Sequence, residues 1–339
     1  MKGMFYYAVD FNTPINNWNV SKITNMSYMF QHAGNFSQDL DKWDTSSVTD
    51  MFSMFEYASK FNGNISTWDT SNVINMDRVF HRAYDFNQNL NDWNVSNVVS
   101  MNRMFQYAQS FNQDLNNWDT SKVTDMIRLF NQAKDFNGNI TSWNTSNVVY
   151  MNGLLSEVKV FNHSIDEWDI SNVVNIDSMF SNADNFTRDL NNWDTSKVTD
   201  MDGVFSDADK FNGNISNWNT SSVTSMSSMF SYTDEFNQEL NSWDTSNVNF
   251  MSFMFLSADK FNGNISSWNT SKVSDFSFMF SYAQNFNQDI SQWQTSAVND
   301  MSYMFLDAVN FNSNISNWDV SNVTDMRIMF YNTTSFNED

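Results

Sequence analysis

Residues 111–135 read Phe111-Asn-Gln-Asp-Leu115-Asn-Asn-Trp118-Asp-Thr-Ser-Lys-Val123-Thr-Asp-Met126-Ile-Arg-Leu-Phe130-Asn-Gln-Ala133-Lys-Asp135. Moving outward in either direction, the same frame returns every 25 residues: the 13 tryptophans run from Trp18 to Trp318 at that interval without insertion or deletion. Taking Phe11 as position 1, thirteen full repeats occupy residues 11–335, a partial repeat precedes them (1–10) and a stub follows (336–339). The consensus is F-N-x-[ND]-[IL]-x-x-W-[DN]-[TV]-S-x-V-x-x-M-x-x-M-F-x-x-A-x-x. All 22 methionines fall at position 16 or 19, and of the 32 phenylalanines 14 are at position 1 and 13 at position 20. A period of this length is the mark of a solenoid, so the whole of 1–339 is expected to be one domain of stacked coils.

A side chain that recurs in every coil is expected inside, stacked on its copies, which assigns positions 1, 5, 8, 13, 16, 19, 20 and 23 to the core. No single coil buries enough apolar surface to offset the entropy of ordering itself, so stacking is obligatory. In the coil that begins at Phe36, Val48, Met51, Met54, Phe55 and Ala58 follow a 3-3-1-3 spacing, which predicts a short helix or 3₁₀ segment with one buried stripe. Position 11 is serine in every repeat (Ser21, Ser46, Ser71 through Ser321) and reads as its N-cap. Asp50, Asp125, Asp200, Asp275, Asp300 and Asp325 then lie in the first turn, where the helix dipole favours them. The middle of F-N-x-[ND]-[IL]-x-x-W is expected to be a short strand pairing in parallel with the next coil. The fold class is thus α/β, a leucine-rich-repeat-like solenoid with one short parallel strand and one short helix per coil. At about 4.8 Å per coil it would be a rod of roughly 60–65 Å. Asn at position 2 is expected to form a ladder of side-chain amides that satisfies backbone groups at a turn.

Composition excludes several functions. The net charge of −22 disfavours nucleic acid and anionic lipid as partners. Zero cysteines removes disulfides and thiol chemistry, and no apolar run is long enough to insert in a membrane. No secretory apolar stretch follows Met1. The histidines His32, His81 and His163 occupy positions 22, 21 and 3, so they mark no common metal or base site. Carboxylate pairs such as Asp39/Asp44 and Asp114/Asp119 recur with the template and single out no active site. No cofactor or metal is expected, and no enzymatic activity.

The residues Asn112-Gln-Asp-Leu-Asn-Asn-Trp118-Asp-Thr-Ser-Lys-Val-Thr-Asp-Met126 resemble the 25-residue repeat of the BspA-like leucine-rich-repeat bacterial surface proteins, and the resemblance covers essentially the whole chain. It implies a leucine-rich-repeat-like solenoid displayed outside the cell, in a family associated with adhesion and host-protein binding, and it implies no chemistry. The lipobox cysteine and signal segment of that family do not occur here, so surface location rests on the resemblance.

A repeated core carries no specificity; outward positions that vary do. Positions 18 and 22, four apart in the expected helix, would share one exposed face. Early coils place Tyr28/His32, Tyr57, Arg78/Arg82, Arg103/Tyr107 and Arg128 there. Middle coils place Gly153/Glu157, Ser178/Asn182 and Gly203/Asp207. Late coils place Tyr232, Phe253, Phe278/Tyr282, Tyr303 and Ile328. Arginine interleaved with tyrosine is typical of partner-binding hot spots, and a contiguous apolar strip facing water calls for a partner. The bland readings are arginines neutralising Asp77 or Asp85 and a late strip that is core. The leading expectation is a non-enzymatic surface module binding a protein or glycan through this face.

Two other rows need weighing. Acid and neutral residues largely alternate at position 4 (Asp114, Asn139, Ser164, Asp189, Asn214, Glu239, Asn264, Asp289, Asn314), which reads as relief of charge repulsion; a calcium ladder is the alternative, although no known calcium-loop motif occurs. The threonine row at position 10 is read as solvated, with ice binding as its functional alternative. A second expectation is end-to-end self-assembly. The sequence starts at position 16 and stops just inside a new repeat, so Met4, Phe5, Phe330 and Phe336 would be exposed core residues and terminal coils would invite stacking.

Overall fold

The computed structural model describes residues 1–337; Glu338 and Asp339, the end of the expected stub, lie outside the described residues. Contacts divide the chain into two compact units, Met1–Asn172 and Val173–Asp339, built from the same coil.

The coil is made of turns. In the first unit Met29, Gln31 and Ala33 donate their amides to the carbonyls of Met26, Tyr28 and Phe30, at 3.1, 3.2 and 2.9 Å, closing three overlapping four-residue turns. The amides between them point to the next coil: Tyr28 to Phe52, Phe30 to Met54 and His32 to Glu56, at 2.9, 2.8 and 2.8 Å. The second unit repeats this, with Met229, Ser231 and Thr233 closing turns while Ser228, Phe230 and Tyr232 donate to Ser252, Met254 and Leu256 in the neighbouring coil. Tyr28 and His32, third in the first and last turns, have φ of 59° and 61°, as a type II turn requires at that place. The same two positions are left-handed in every coil where they occur, from Gly3 and Tyr7 to Ile328 and Asn332.

This corrects the expected helix. The 3-3-1-3 spacing correctly identifies which residues point inward, but a chain of turns gives that spacing while sending alternate amides to the neighbouring coil, which a helix cannot do. Among the described residues there is no helix. The strand is also displaced. Parallel pairing appears as isolated bridges at position 15, from Asn25↔Asp50 to Asp125↔Tyr150 in the first unit and from Asn175↔Asp200 to Asp300↔Asp325 in the second. Position 11 is no N-cap, since Ser46 gives both its amide and its hydroxyl to the Asp44 carboxylate at 3.1 and 2.6 Å. Asp50 accepts the Phe52 amide at 3.0 Å in a second such turn, a local bond rather than a dipole effect. Serine bonds hold the carboxyls of Asp44, Asp69, Asp119, Asp194, Asp244 and Asp319 below the ordinary carboxylate range.

The interior is as expected: Phe36, Leu40, Trp43, Val48, Met51, Met54, Phe55 and Ala58 are all buried. Phenylalanines of positions 1 and 20 and the tryptophans form columns, with Phe55 on Phe61 at 3.8 Å, Phe55 on Phe80 at 5.8 Å and Trp43 on Trp68 at 6.1 Å. Each indole also needs an acceptor when buried. Trp68 and Trp118 find theirs in the preceding coil, on the Leu40 and Leu90 carbonyls at 2.9 and 2.8 Å. The asparagine ladder forms too: Asn62 accepts the Asn87 amide, Asn87 the Asn112 amide and Asn112 the Asn137 amide, at 3.0, 2.9 and 2.8 Å. Position 10 corrects the expectation of a solvated row. Thr45, Thr70 and Thr120 are buried and donate to a carbonyl of the following coil at 2.9–3.0 Å, so the row presents nothing to ice.

The alternation at position 4 has a directional cause. Asp39, Asp114, Asp189 and Glu239 accept the position-4 amide of the following coil, for example Asn139 to Asp114 at 2.8 Å. In return Leu115 donates to the Asn139 carbonyl at 3.0 Å. Position 3 of that following coil is glycine each time, Gly63, Gly138, Gly213 and Gly263. A Cβ on Gly138 would lie 2.7 Å from the Gln113 carbonyl carbon, so only glycine permits the approach. Where position 3 is Ser313, the preceding acid Asp289 turns instead to the Ser291 amide, and Ile290 donates to the Ser313 hydroxyl at 3.2 Å.

Candidate partner-binding surface

Positions 18 and 22 are the left-handed third residues of turns, and this is what turns their side chains outward. For a side-chain-bearing residue that backbone costs about 1–2 kcal/mol relative to the right-handed region, and glycine avoids the cost. Glycine nevertheless takes these positions only at Gly3, Gly153 and Gly203.

In the first unit position 22 builds a column of flat groups. The Tyr7 and His32 rings stack at 4.1 Å and His32 and Tyr57 at 4.3 Å. The Arg82 guanidinium then sits between Tyr57 and Tyr107, 5.0 and 4.5 Å from their ring centres. Such contacts contribute about 0.5–1.5 kcal/mol each, enough to offset most of the backbone cost. Beneath the column lies a buried pair, Glu56 with His81, Oε1 to Nδ1 2.8 Å, with Gln31 also donating to Glu56. Burial pushes the Glu56 carboxyl up, but hydrogen bonds led by that from His81 outweigh it and leave the group below its ordinary value. Burial likewise lowers His32.

Position 18 of the same unit carries Tyr28, then Arg78, Arg103 and Arg128 in successive coils. Arg78 lies 6.0 Å from the Phe52 ring, and Tyr28 packs edgewise on Phe52 at 5.2 Å. Arg128 leans over Gly153, where a Cβ would come within 3.0 Å of its Cγ. Two like charges about 5 Å apart repel by roughly 3 kcal/mol at a surface dielectric near 20. Burial first, then Arg78 and Arg128, accordingly lower the Arg103 pKa. Arg78 favours the ionised Asp77 carboxylate through charge, without pairing with it directly. That carboxylate is occupied by the Ser100 hydroxyl at 2.5 Å and the Asn102 amide at 2.9 Å, and burial raises its pKa. Among the described residues neither Asp77 nor Asp85 forms an ion pair with these arginines.

In the second unit Phe253 stacks on Phe278 at 4.8 Å and Phe278 on Tyr303 at 4.4 Å, both within 9° of parallel. These three are half-buried by one another. Ile328, next in the column, is 48% exposed, and Arg327 caps the Tyr303 ring at 6.0 Å. The strip is therefore surface and not core. Tyr232 and Tyr282 project from the other row, 47% and 44% exposed, and Ser257 separates them. The structure thus joins Phe253, Phe278 and Tyr303 into one feature and leaves the two tyrosines apart. Sequence reasoning identified the rows but missed Tyr7, which begins the position-22 column and whose recurrence there was the signal, and Lys2 and Phe52, which pack against Tyr28 beside the position-18 row, Lys2 at 5.6 Å from its ring centre. Of the residues considered for self-assembly, Met4 is 52% exposed, whereas Phe5, Phe330 and Phe336 are partly covered in the aromatic columns.

The family described as "Mycoplasma protein of unknown function, DUF285" matches residues 1–93, 36–129, 113–201, 185–284 and 260–339. No curated protein matches the sequence. Among solved structures, a leucine rich cell surface protein from Faecalibacterium prausnitzii is 12% identical with a TM-score of 0.44, over 78% of this chain and 76% of that one. A leucine-rich repeat protein from Eubacterium ventriosum is also 12% identical with a TM-score of 0.44, over 92% and 80%. Likeness at that level carries no functional argument.

Proposed function

The chain belongs to the DUF285 family, and on that footing we propose that it is a non-enzymatic protein-binding module displayed at a cell surface, of the BspA-like kind, using the side chains of positions 18 and 22. The observation that carries this reading is the column Phe253–Phe278–Tyr303: large apolar groups held half-exposed on a backbone that glycine would occupy at lower cost. Ring faces in the column cover one another, so it offers edges rather than faces. A sugar would stack on a free face, whereas a protein side chain packs on edges, which makes a protein the better-fitting partner.

The test is binding of the fluorescently labelled chain to cultured epithelial cells. Saturable binding that disappears when the cells are first treated with protease, and persists after glycosidase, supports the proposal. Absence of saturable binding, or sensitivity to glycosidase alone, overturns it. Light scattering across a hundredfold concentration range accompanies the assay. A mass that rises with concentration would replace partner binding with self-assembly.

A further inference from the structure

The first unit carries a row of cations that feel nearby carboxylates, among them Asp77, Asp125 and Glu56, but make no direct ion pair among the described residues. Against 39 acidic residues, Arg78, Arg82, Arg103 and Arg128 form no ion pair among the described residues. The nearby carboxylate of Asp77 is committed to Ser100 and Asn102. The Nε groups of Arg82 and Arg103 are buried and have no acceptor. A buried donor without an acceptor is unfavourable, and neighbouring guanidiniums repel one another, a cost that nearby carboxylates relieve in part. The buried Nε groups are out of reach of solvent, but an anion at the outer guanidinium nitrogens would relieve the repulsion along the column.

We propose that Arg78, Arg103 and Arg128, flanked by Arg82 and Tyr107, dock a short acidic segment of a partner protein. This rests on the reading of positions 18 and 22 as a partner surface and adds the partner's chemistry. Three features set that chemistry. The guanidinium fork matches carboxylates two oxygens at a time, and one fork is presented per coil, at intervals of about 4.8 Å. The column is short: Ser53 precedes it, Gly153 follows it, and Glu157 lies in the Gly153 coil. A long polyanion running along the coils would meet that carboxylate and the acidic remainder of the protein, whereas a peptide of a few acidic residues would not. The flanking tyrosine edges suit peptide side chains and backbone, which an all-polar chain would leave unused.

The probe is a fluorescein-labelled hexaglutamate peptide, read by anisotropy on the full chain at low salt. The expected result is saturable binding that weakens with salt and falls at least about tenfold when Arg78, Arg103 and Arg128 are all replaced by glycine, since the variant loses all three charged forks at once. Glycine suits the left-handed backbone, so this variant is expected to keep its fold. The conservative Arg103→Lys variant provides a second reading, with a few-fold loss because charge remains without the fork. No binding to the wild-type chain overturns the inference, as does equal binding by the wild type and both variants. A sulfated oligosaccharide that binds more tightly than hexaglutamate with the same arginine dependence also overturns it. Failure with hexaglutamate while cell binding persists removes the acidic partner and leaves the broader reading intact. Hexaglutamate binding without any cell binding supports this site and removes the broader reading.

Discussion

Replacing Ser228 and Ser257 by alanine or by glycine distinguishes a turn-built coil from a helical one. Their φ angles are 56° and 54°, and neither hydroxyl takes part in a hydrogen bond among the described residues, so substitution removes no side-chain bond. In a helix, alanine would be the more stable by about 1 kcal/mol per site. On a left-handed backbone the alanine Cβ costs about 1–2 kcal/mol, against which glycine loses about 0.5–1 kcal/mol of unfolded-state entropy. The balance favours glycine by about 0.5–1 kcal/mol per site, or about 1–2 kcal/mol for the pair if the sites add. Urea unfolding of the two double variants measures this directly. At an m-value of about 3 kcal/mol/M, the glycine pair should unfold roughly 0.3–0.7 M later than the alanine pair. An alanine pair as stable as the glycine pair, or more so, would mean that the left-handed turns are not the native conformation.

Gly138→Ala should destabilise by about 3 kcal/mol in urea, because the Cβ meets the backbone of Gln113; Gly34→Ala, with its nearest atom the Ser59 hydroxyl at 3.6 Å, should stay within about 0.5 kcal/mol of wild type. Asp114→Ala should cost about 0.5–1.5 kcal/mol by removing the solvent-facing acceptor of the Asn139 amide, and Asp114→Asn, which keeps an acceptor oxygen, should recover most of it. Burial raises the Asp202 carboxyl above its ordinary pKa, with Asp200 and Asp177 also raising it. A raised carboxyl adds stability below its unfolded value and loses that stability as pH rises through the folded one, so Asp202→Asn should be more stable than wild type at pH 7. That gap in urea midpoint should close as pH falls below the ordinary carboxylate range, and a gap constant with pH would contradict the assignment.

The repeat, its register and its interior were legible because stacking places identical groups on one another, so every buried column is printed in the sequence as a 25-residue period. The backbone path was not. Met51, Met54, Phe55 and Ala58 have the spacing of a helical stripe, and nothing in one coil reveals that alternate amides are claimed by the next. The sign was nevertheless present in Gly3, Gly153 and Gly203 recurring at position 18, a preference for left-handed backbone that a helix interior would not show. Position 10 misled in the opposite way, since threonine reads as solvated until its hydroxyl is seen bonded to the following coil. The alternation at position 4 was visible, but its partner glycine one residue earlier was not connected with it. At the surface, the sequence identified the columns of arginine and aromatic residues by position. That Phe253, Phe278 and Tyr303 cover one another's faces, and that Arg82 lies between two tyrosines, depends on side-chain packing that no periodicity encodes.

On the proposed function, the side chains on the left-handed residues are held there for a partner. The direct measurement is paired: cell binding and urea stability of a variant with Phe253, Phe278 and Tyr303 all replaced by glycine. The expected outcome is a folded variant whose unfolding midpoint is lowered only modestly, because relief of the backbone offsets part of the lost stacking and burial, together with cell binding weakened at least about tenfold, the loss expected when central aromatic anchors are removed. Unchanged binding by a variant that remains folded would show that the column serves only to hold the coils together.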